Sequence, residues 1–223
     1  MVKILKKINY REFYEINEFV AKSSPMMSHY HSSNPLERWI WQQKKQFIKD
    51  KLEDLPIQTL IDFGCGDGGI LDILKNNIQY TGIDISPTQL RYAKKRAKTL
   101  GKRNVQFHIG DVLDLKIKDN SFDSAVVCDV VEHVLSTEKL FNELRRVVKK
   151  NGYIIISIPH EALWEAARGI LLKFPLRSPD HINAVFPQDI YNHFNKILDK
   201  KHIPISFSSN FSLINIFLIQ NVK

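Results

Sequence analysis

The stretch LIDFGCGDGG, Leu60–Gly69, sets two carboxylates among glycines at the end of an apolar run. Ile57–Phe63 reads as a buried strand, and the chain from Gly68 onward (GILDILKNN) reads as the start of a helix. Strand, glycine turn and helix start form the nucleotide-binding corner of a doubly wound α/β sheet. Gly64, Gly66 and Gly69 satisfy the GxGxxG spacing of a dinucleotide site. The charges oppose a dinucleotide. A pyrophosphate needs backbone N–H groups and positive potential, whereas Asp62 and Asp67 flank the turn and no Lys or Arg lies between Gln58 and Leu74. Two carboxylates suit a cationic ligand that lacks phosphate. S-adenosyl-L-methionine, with its ammonium and sulfonium, meets that requirement, and glycines let the backbone approach it without Cβ clashes.

The chain has 223 residues, 43% hydrophobic and 25% charged, which is ordinary for a globular α/β domain with a full core. No apolar stretch reaches the roughly 18 residues of a membrane span, and MVKILKKINYREF lacks the apolar core of a signal peptide. A cytoplasmic protein is expected, with Cys65 and Cys128 as free thiols. The formal charge of +8 raises nucleic acid as a partner. It is not favoured, because Lys outnumbers Arg 23 to 9 and clusters such as Lys94-Lys95-Arg96 fall on helices whose solvated faces account for them.

Working outward from the glycine turn, strand and helix alternate to about Pro159, as a parallel sheet requires. Strands are expected at Gln79–Asp84, Asn104–Ile109, Ser121–Cys128 and Tyr153–Ile158, the last entered through an Asn151-Gly152 turn. Helices are expected at Pro87–Leu100, with Ser86 as N-cap, and at Thr137–Lys150. The whole reads as a single domain: a helical N-terminal extension (1–55), a cofactor-binding core (56–160), a helical lid insertion after the fifth strand (161–186), and a C-terminal part (187–223). That last part holds a helix over Pro187–Lys200 and a hairpin of Ile203–Ser208 with Phe211–Val222, joined around Ser209-Asn210.

Asp84 ends the second strand 22 residues after Asp62, where an acidic side chain accepts the ribose hydroxyls. Asp111 follows the third strand, placed to accept from the adenine amine while the Val112 N–H meets a ring nitrogen. The segments DFGCGDG from Asp62, YTGID ending at Asp84, Gly110-Asp111-Val112 and FDSAVVCD ending at Asp129 resemble, in order and spacing, the class I S-adenosylmethionine-dependent methyltransferases over roughly Leu60–Ile158. FNELRRVVKKNGYIIISIP is similar to the small-molecule branch that includes ubiquinone and menaquinone biosynthesis enzymes. The resemblance implies a mostly parallel seven-stranded sheet whose final hairpin is reversed. It implies that Asp62 and the backbone of Gly64, Cys65 and Gly66 hold the methionine part, Asp84 with Ile85 the ribose, and Asp111 with Val112 the adenine, with Asp129 beside the methyl donor.

Methyl transfer from a sulfonium chiefly needs alignment; a general base is needed only where the acceptor loses a proton. Candidates at the C-terminal ends of the fourth and fifth strands are His133, Asp129 and His160, with Glu132 beside them and His181 folding back over the same mouth. His133 is the preferred base, and a capping or packing role weighs equally. The run Asp129, Glu132, His133 plus a later His is similar to the Glu-x-x-Glu-His metal site of small-RNA 3′-terminal 2′-O-methyltransferases, with Asp129 where the first Glu stands. Glu-His is widespread at this position in metal-free methyltransferases, so no metal and an EDTA-insensitive reaction are expected. The acceptor is expected to be a small molecule methylated at oxygen, nitrogen or carbon, with RNA as the alternative and a nicotinamide oxidoreductase a distant third. Leu163, Ala166, Ala167, Ile170 and Leu171 share one face of a helix over Glu161–Lys173, which leads through Phe174 and Pro175 to Ser178-Pro179-Asp180-His181. That helix is expected to cover the acceptor, with Trp164 and the aromatics of His29-Tyr30-His31 and Trp39-Ile40-Trp41 lining it, and plain packing of both segments on the core weighs nearly equally.

Overall fold

The computed structural model describes residues 3–4, 8–23, 34–170, 180–204 and 212–223. Helix α1 (Tyr10–Ser23) and helix α2 (Pro35–Asp54) precede the first long strand. Strands β2 (Thr59–Phe63), β3 (Gln79–Asp84), β4 (Val105–Ile109), β5 (Phe122–Cys128), β6 (Val148–Pro159), β8 (Ile197–Ile203) and β9 (Ile214–Gln220) form one sheet in the order β4-β3-β2-β5-β6-β9-β8. The first five are parallel to one another, and β9 runs antiparallel to both β6 and β8. The mostly parallel sheet with a reversed last pair is therefore as expected. Two-residue strands β1 (Lys3–Ile4) and β7 (Asn183–Ala184) pair separately, antiparallel, which nothing in the sequence announced.

Alternation along the strands divides the core into two layers. Ile61, Val127, Ile154, Ile156 and Phe217 pack on one face under Leu140, Phe141 and Leu144 of helix α4 (Thr137–Val147) and Ile190 of helix α6 (Pro187–His193). Leu60, Val126, Ile155 and Ile216 pack on the other face under Ile40, Phe47 and Ile48 of α2 and Leu90 and Ala97 of helix α3 (Pro87–Thr99). Helices on both faces make the sheet doubly wound.

Three elements depart from expectation. The segment after the glycine turn is only a 3₁₀ turn, Gly69–Asp72, opened by a left-handed Gly68 without a side-chain cap. A segment that short cannot offset the cost of nucleating an α-helix, and Asp72 at its end is held by Arg96 at 2.9 Å. The helix sought over Pro187–Lys200 ends at His193, and the chain turns at buried Phe194 into β8, whose first strand begins at Ile197 rather than Ile203. Lys200, Lys201 and Asp199 suit a charged sheet edge, which keeps that edge from pairing further. The join sought around Ser209-Asn210 lies outside the described residues. Helix α4 also stops before Lys150, at Val147, because Val148 enters β6; left-handed Asn151, with Gly152 after it, then falls at a register shift inside that strand.

Asp123 ties the bottoms of β2 and β5 together. Its Oδ2 accepts from the Gln58 and Thr59 backbone N–H groups and the Thr59 hydroxyl, each at 2.9 Å, and its Oδ1 meets Lys149 Nζ at 2.7 Å. Burial disfavours the charge, but Lys149 and these donors outweigh it and hold the carboxyl down at about 2. A depressed carboxyl adds stability above its unfolded value near 4 and loses it as pH falls towards 2. Asp123→Asn is expected to cost about 2 kcal/mol in urea unfolding at pH 7. The difference from wild type should shrink below pH 4; a loss under about 0.5 kcal/mol at pH 7 would contradict the assignment.

Candidate active site

The C-terminal ends of β2, β3, β4 and β5 meet at the glycine turn. Gly64, Gly66 and Gly68 all have positive φ, of 68°, 52° and 82°, a region that side chains disfavour. A Cβ on Gly64 would also stand 2.5 Å from Val130 Cγ2. Three amides of the turn are engaged by the protein itself: Cys65 N donates to Ile83 O (2.9 Å), Gly66 N to Asp84 Oδ2 (2.8 Å) and Gly68 N to Cys65 O (2.9 Å). They are thus committed before any phosphate arrives. Cys65 packs its sulfur against Gly82, where a Cβ would approach it to 2.8 Å. Burial pushes the Cys65 thiol up and Cys128 up to about 12, so neither is a nucleophile at neutral pH.

Asp62 is buried and accepts from the Tyr80 hydroxyl at 2.7 Å. Burial first, and the nearby Asp84 carboxylate, push it up to about 7 against the pull of Tyr80 and Lys44. Asp84 bridges two backbone donors, Gly66 N to Oδ2 and Ser86 N to Oδ1, both at 2.8 Å; burial raises its carboxyl as well. Ile85 beside it is half-buried. Asp111 and Val112 follow β4; Asp111 Oδ1 accepts from Leu113 N at 2.8 Å, and Gly110 N donates to Asp84 O at 3.1 Å, which draws the two aspartates to one edge. Asp67 behaves differently from the expectation of a second ligand-facing carboxylate: it is buried and engaged by Arg96 of α3 at 3.3 Å.

Asp129 occupies a left-handed corner, φ 54°, at the end of β5. That corner turns its carboxylate to Ser157, whose hydroxyl donates to Oδ1 at 2.9 Å, and to an ion pair of Oδ2 with Lys44. Lys44 is 1% exposed and lies over the Trp41 ring at 4.8 Å. Sequence reasoning missed it. The available signal was a lysine inside the apolar stripe Ile40, Phe47, Ile48, Leu52 of α2, where a polar group must have a partner. Glu18 of α1 was missed too: its carboxylate accepts from the hydroxyls of Ser86, at 2.6 Å, and Thr88, fixing the extension beside Asp84.

The other candidate bases divide. His160 caps helix α5 (Glu161–Ile170), its Nδ1 accepting from Leu163 N at 3.4 Å, and faces Phe186 edge-on at 6.4 Å. His133 sits where expected beyond Asp129, and His181 does fold back over the same mouth, since Ile182 N and Asn183 N donate to Glu132 O at 2.9 and 3.0 Å. The two imidazoles meet edge-to-face at 4.6 Å. Glu132 is buried, and burial first, then Asp129 and Glu161, push its carboxyl up against the pull of His133. Trp164 is partly buried against the α2 face of the core together with Trp41. His29-Tyr30-His31, Leu171, Phe174, Pro175, Ser178 and Pro179 lie outside the described residues, as does the side chain of Ala167.

The Lys44–Asp129 pair is buried enough that losing one partner strands the other charge. Lys44→Met is expected to cost about 3 kcal/mol or more in chemical denaturation, and Lys44→Met/Asp129→Asn to recover most of it. A single variant within about 1 kcal/mol of wild type would show the pair to be energetically idle.

Comparison with known proteins agrees with this geometry. The family described as "Methyltransferase domain" matches residues 61–156. The chain is 35% identical over 117 residues to norajmaline N-methyltransferase of Rauvolfia serpentina, covering 51% of this chain and 40% of that protein. It is 26% identical over 153 residues to phosphoethanolamine N-methyltransferase 2 of Caenorhabditis elegans, covering 68% and 35%. The chain thus spans less than half the length of these curated relatives. Among solved structures, magnesium protoporphyrin IX methyltransferase of Synechocystis PCC 6803, crystallised with S-adenosylhomocysteine, superposes with TM-score 0.68 at 19% identity, covering 93% of this chain and 99% of that one. N-methyltransferase NodS of Bradyrhizobium japonicum WM9, also holding S-adenosylhomocysteine, gives 0.66 at 15%, covering 95% and 98%. Residues 61–156 thus match a methyltransferase domain, on a fold shared with methyltransferases that hold S-adenosylhomocysteine.

Proposed function

We propose that this protein transfers a methyl group from S-adenosylmethionine to a small-molecule acceptor. The observation that carries the reading is the chemistry of the donor set at the glycine turn. Three of its amides are spent internally, while two buried carboxylates with raised pKa, Asp62 and Asp84, converge there. That set suits an ammonium and a ribose and disfavours a pyrophosphate, which counts against a nicotinamide oxidoreductase. The N-methyltransferase names of the relatives favour a small acceptor over RNA. No helix among the described residues is long and apolar enough to cross a membrane, and two cysteines without a disulfide suit the cytoplasm.

In this reading Asp62 and the Gly64–Gly66 backbone hold the amino-acid end of the cofactor, Asp84 and Ile85 the ribose, and Asp111 and Val112 the adenine edge. When bound, S-adenosylmethionine supplies an electrophilic methyl on a sulfonium that leaves as a thioether. Asp129, held by Lys44 and Ser157, fixes the corner beside that methyl and acts as a positioning group. His133 lies one turn further along the same loop and takes the proton from an acceptor that must lose one. Helix α5 covers this mouth and excludes water, and His160, capping that helix, positions it.

Isothermal titration with S-adenosylhomocysteine tests the cofactor site. The ligand's ammonium favours ionised Asp62, so binding below its pKa of about 7 must release a proton. Affinity is expected to rise from pH 6 to pH 8 and then level off, and Asp62→Asn should flatten that rise. Asp84→Asn should weaken binding by about 1.5–3 kcal/mol through the lost charge-assisted ribose bonds. Absence of binding, together with clear binding of NAD, would overturn the reading; tight, salt-dependent RNA binding would move RNA ahead of a small acceptor.

A further inference from the structure

The mouth of the site holds a group of three side chains, of which the proposed transfer calls on His133 alone, and that only for an acceptor that loses a proton. Glu132, His133 and His181 present ligand atoms that all lie within 4.8 Å of one another. Glu132 is 1% exposed, and its Oε2 has no hydrogen-bond partner among the described residues. A carboxylate buried without a partner is costly unless a cation completes it. Both imidazoles are already oriented. His133 Nδ1 lies 3.2 Å from the Asp180 carbonyl oxygen and 3.3 Å from its carboxylate, and His181 Nδ1 lies 2.5 Å from Glu161 Oε1. An Nδ1–H given to a carboxylate or carbonyl leaves the Nε2 lone pair pointing the other way, which is the tautomer and support that metal-binding histidines use. His133 Nε2 is 3.9 Å from Glu132 Oε1. Ligands on a tetrahedral cation with bonds of about 2.0–2.2 Å stand about 3.4 Å apart, so this pair would close by roughly 0.5 Å and no pair of the three by more than about 1.4 Å. The two histidine side chains are 21% and 20% exposed, which leaves an entry path.

We propose that Glu132, His133 and His181 bind one first-row divalent transition-metal cation, of which Zn²⁺ is the representative, with Asp180 and Glu161 orienting the two imidazoles. Two nitrogens and one carboxylate oxygen suit Zn²⁺, Co²⁺ or Mn²⁺, whereas Mg²⁺ and Ca²⁺ want oxygen alone. Three protein ligands leave at least one position open, as in sites that bind water or a substrate oxygen. The sequence argued against a metal because Asp129 stood in place of a glutamate and because Glu-His is common at this position without one. The structure bears on the first ground alone: Asp129 is committed to Lys44 and Ser157, and the three grouped ligands are Glu132, His133 and His181 without it.

The site does not depend on the methyltransferase reading, so its test needs no acceptor or cofactor. Metal-free protein titrated with Co²⁺ should develop a visible d–d absorption that saturates at one equivalent and is displaced by Zn²⁺. His181→Ala should abolish that signal. Glu161→Gln, which leaves all three ligands in place, should weaken Co²⁺ 10- to 100-fold while the far-UV circular dichroism stays unchanged. If His181→Ala fails to fold, Glu132→Gln replaces it, with the same loss expected. No saturable one-to-one signal in the wild type would overturn the proposal. So would wild-type affinity in both the Glu161→Gln and Glu132→Gln variants, which would place the metal on other histidines.

Discussion

One carboxylate, that of Asp84, joins the parts on which the site depends. It accepts the Gly66 amide from the turn after β2 and the Ser86 amide from the first turn of α3. Charge-assisted bonds of this kind are about twice as strong as neutral ones, and here they fasten a left-handed glycine turn that has no intrinsic preference for one shape. Ser86 in turn caps α3 and, through Glu18, receives α1. A single ionised side chain therefore fixes the loop, the helix start and the N-terminal cover around one crevice. Because Asp84 and Asp62 are both buried, the crevice stores unfavourable charge that a cationic ligand relieves.

The N-terminal extension is more than a packing addition. Through α2 it inserts Lys44 beneath the corner at Asp129, and through α1 it places Glu18 at Asp84. Both contacts lie at the rim of the same crevice, on opposite sides of the β2–β5 turn region, so the ends of the core strands are complete only with the extension in place. The segment from Asp180 to Ala184 plays a matching part from the other end of the chain. It straps the Glu132 carbonyl and, through Asn183 Nδ2, the Val134 carbonyl at 2.5 Å, so His181 reaches His133 across a long sequence gap.

Local signals carried most of the core. Ser86 before Pro87, alternating apolar runs in β2, β5 and β6, and the glycines after Phe63 each specify a short-range geometry, and each is found where the residues placed it. Misreadings arose where length or tertiary pairing decided the outcome. Residues 69–72 have helical composition but too little length, and Ile197–Ile203 alternates weakly yet forms a strand because β9 offers an edge. At the candidate site, the positions of Asp62, Asp84 and Asp111 were legible because all three stand at or just beyond strand ends on one side of a parallel sheet. Asp67 misled because the partner that claims it, Arg96, lies 29 residues away on α3, and a single sequence shows no such pairing. Lys44 and Glu18 escaped for the same reason, as did the convergence of Glu161 and Asp180 on two histidines.

A crystal structure of the protein with S-adenosylhomocysteine bound tests the central claim most directly. The account predicts the ribose hydroxyls within hydrogen-bonding distance of Asp84, the ammonium on the Asp62 side of the glycine turn, and the adenine at the Asp111–Val112 edge. The Gly66 and Ser86 bonds to Asp84 should remain intact. Ligand density away from the β2–β3 crevice, or a ribose reached only after those two bonds break, would contradict it.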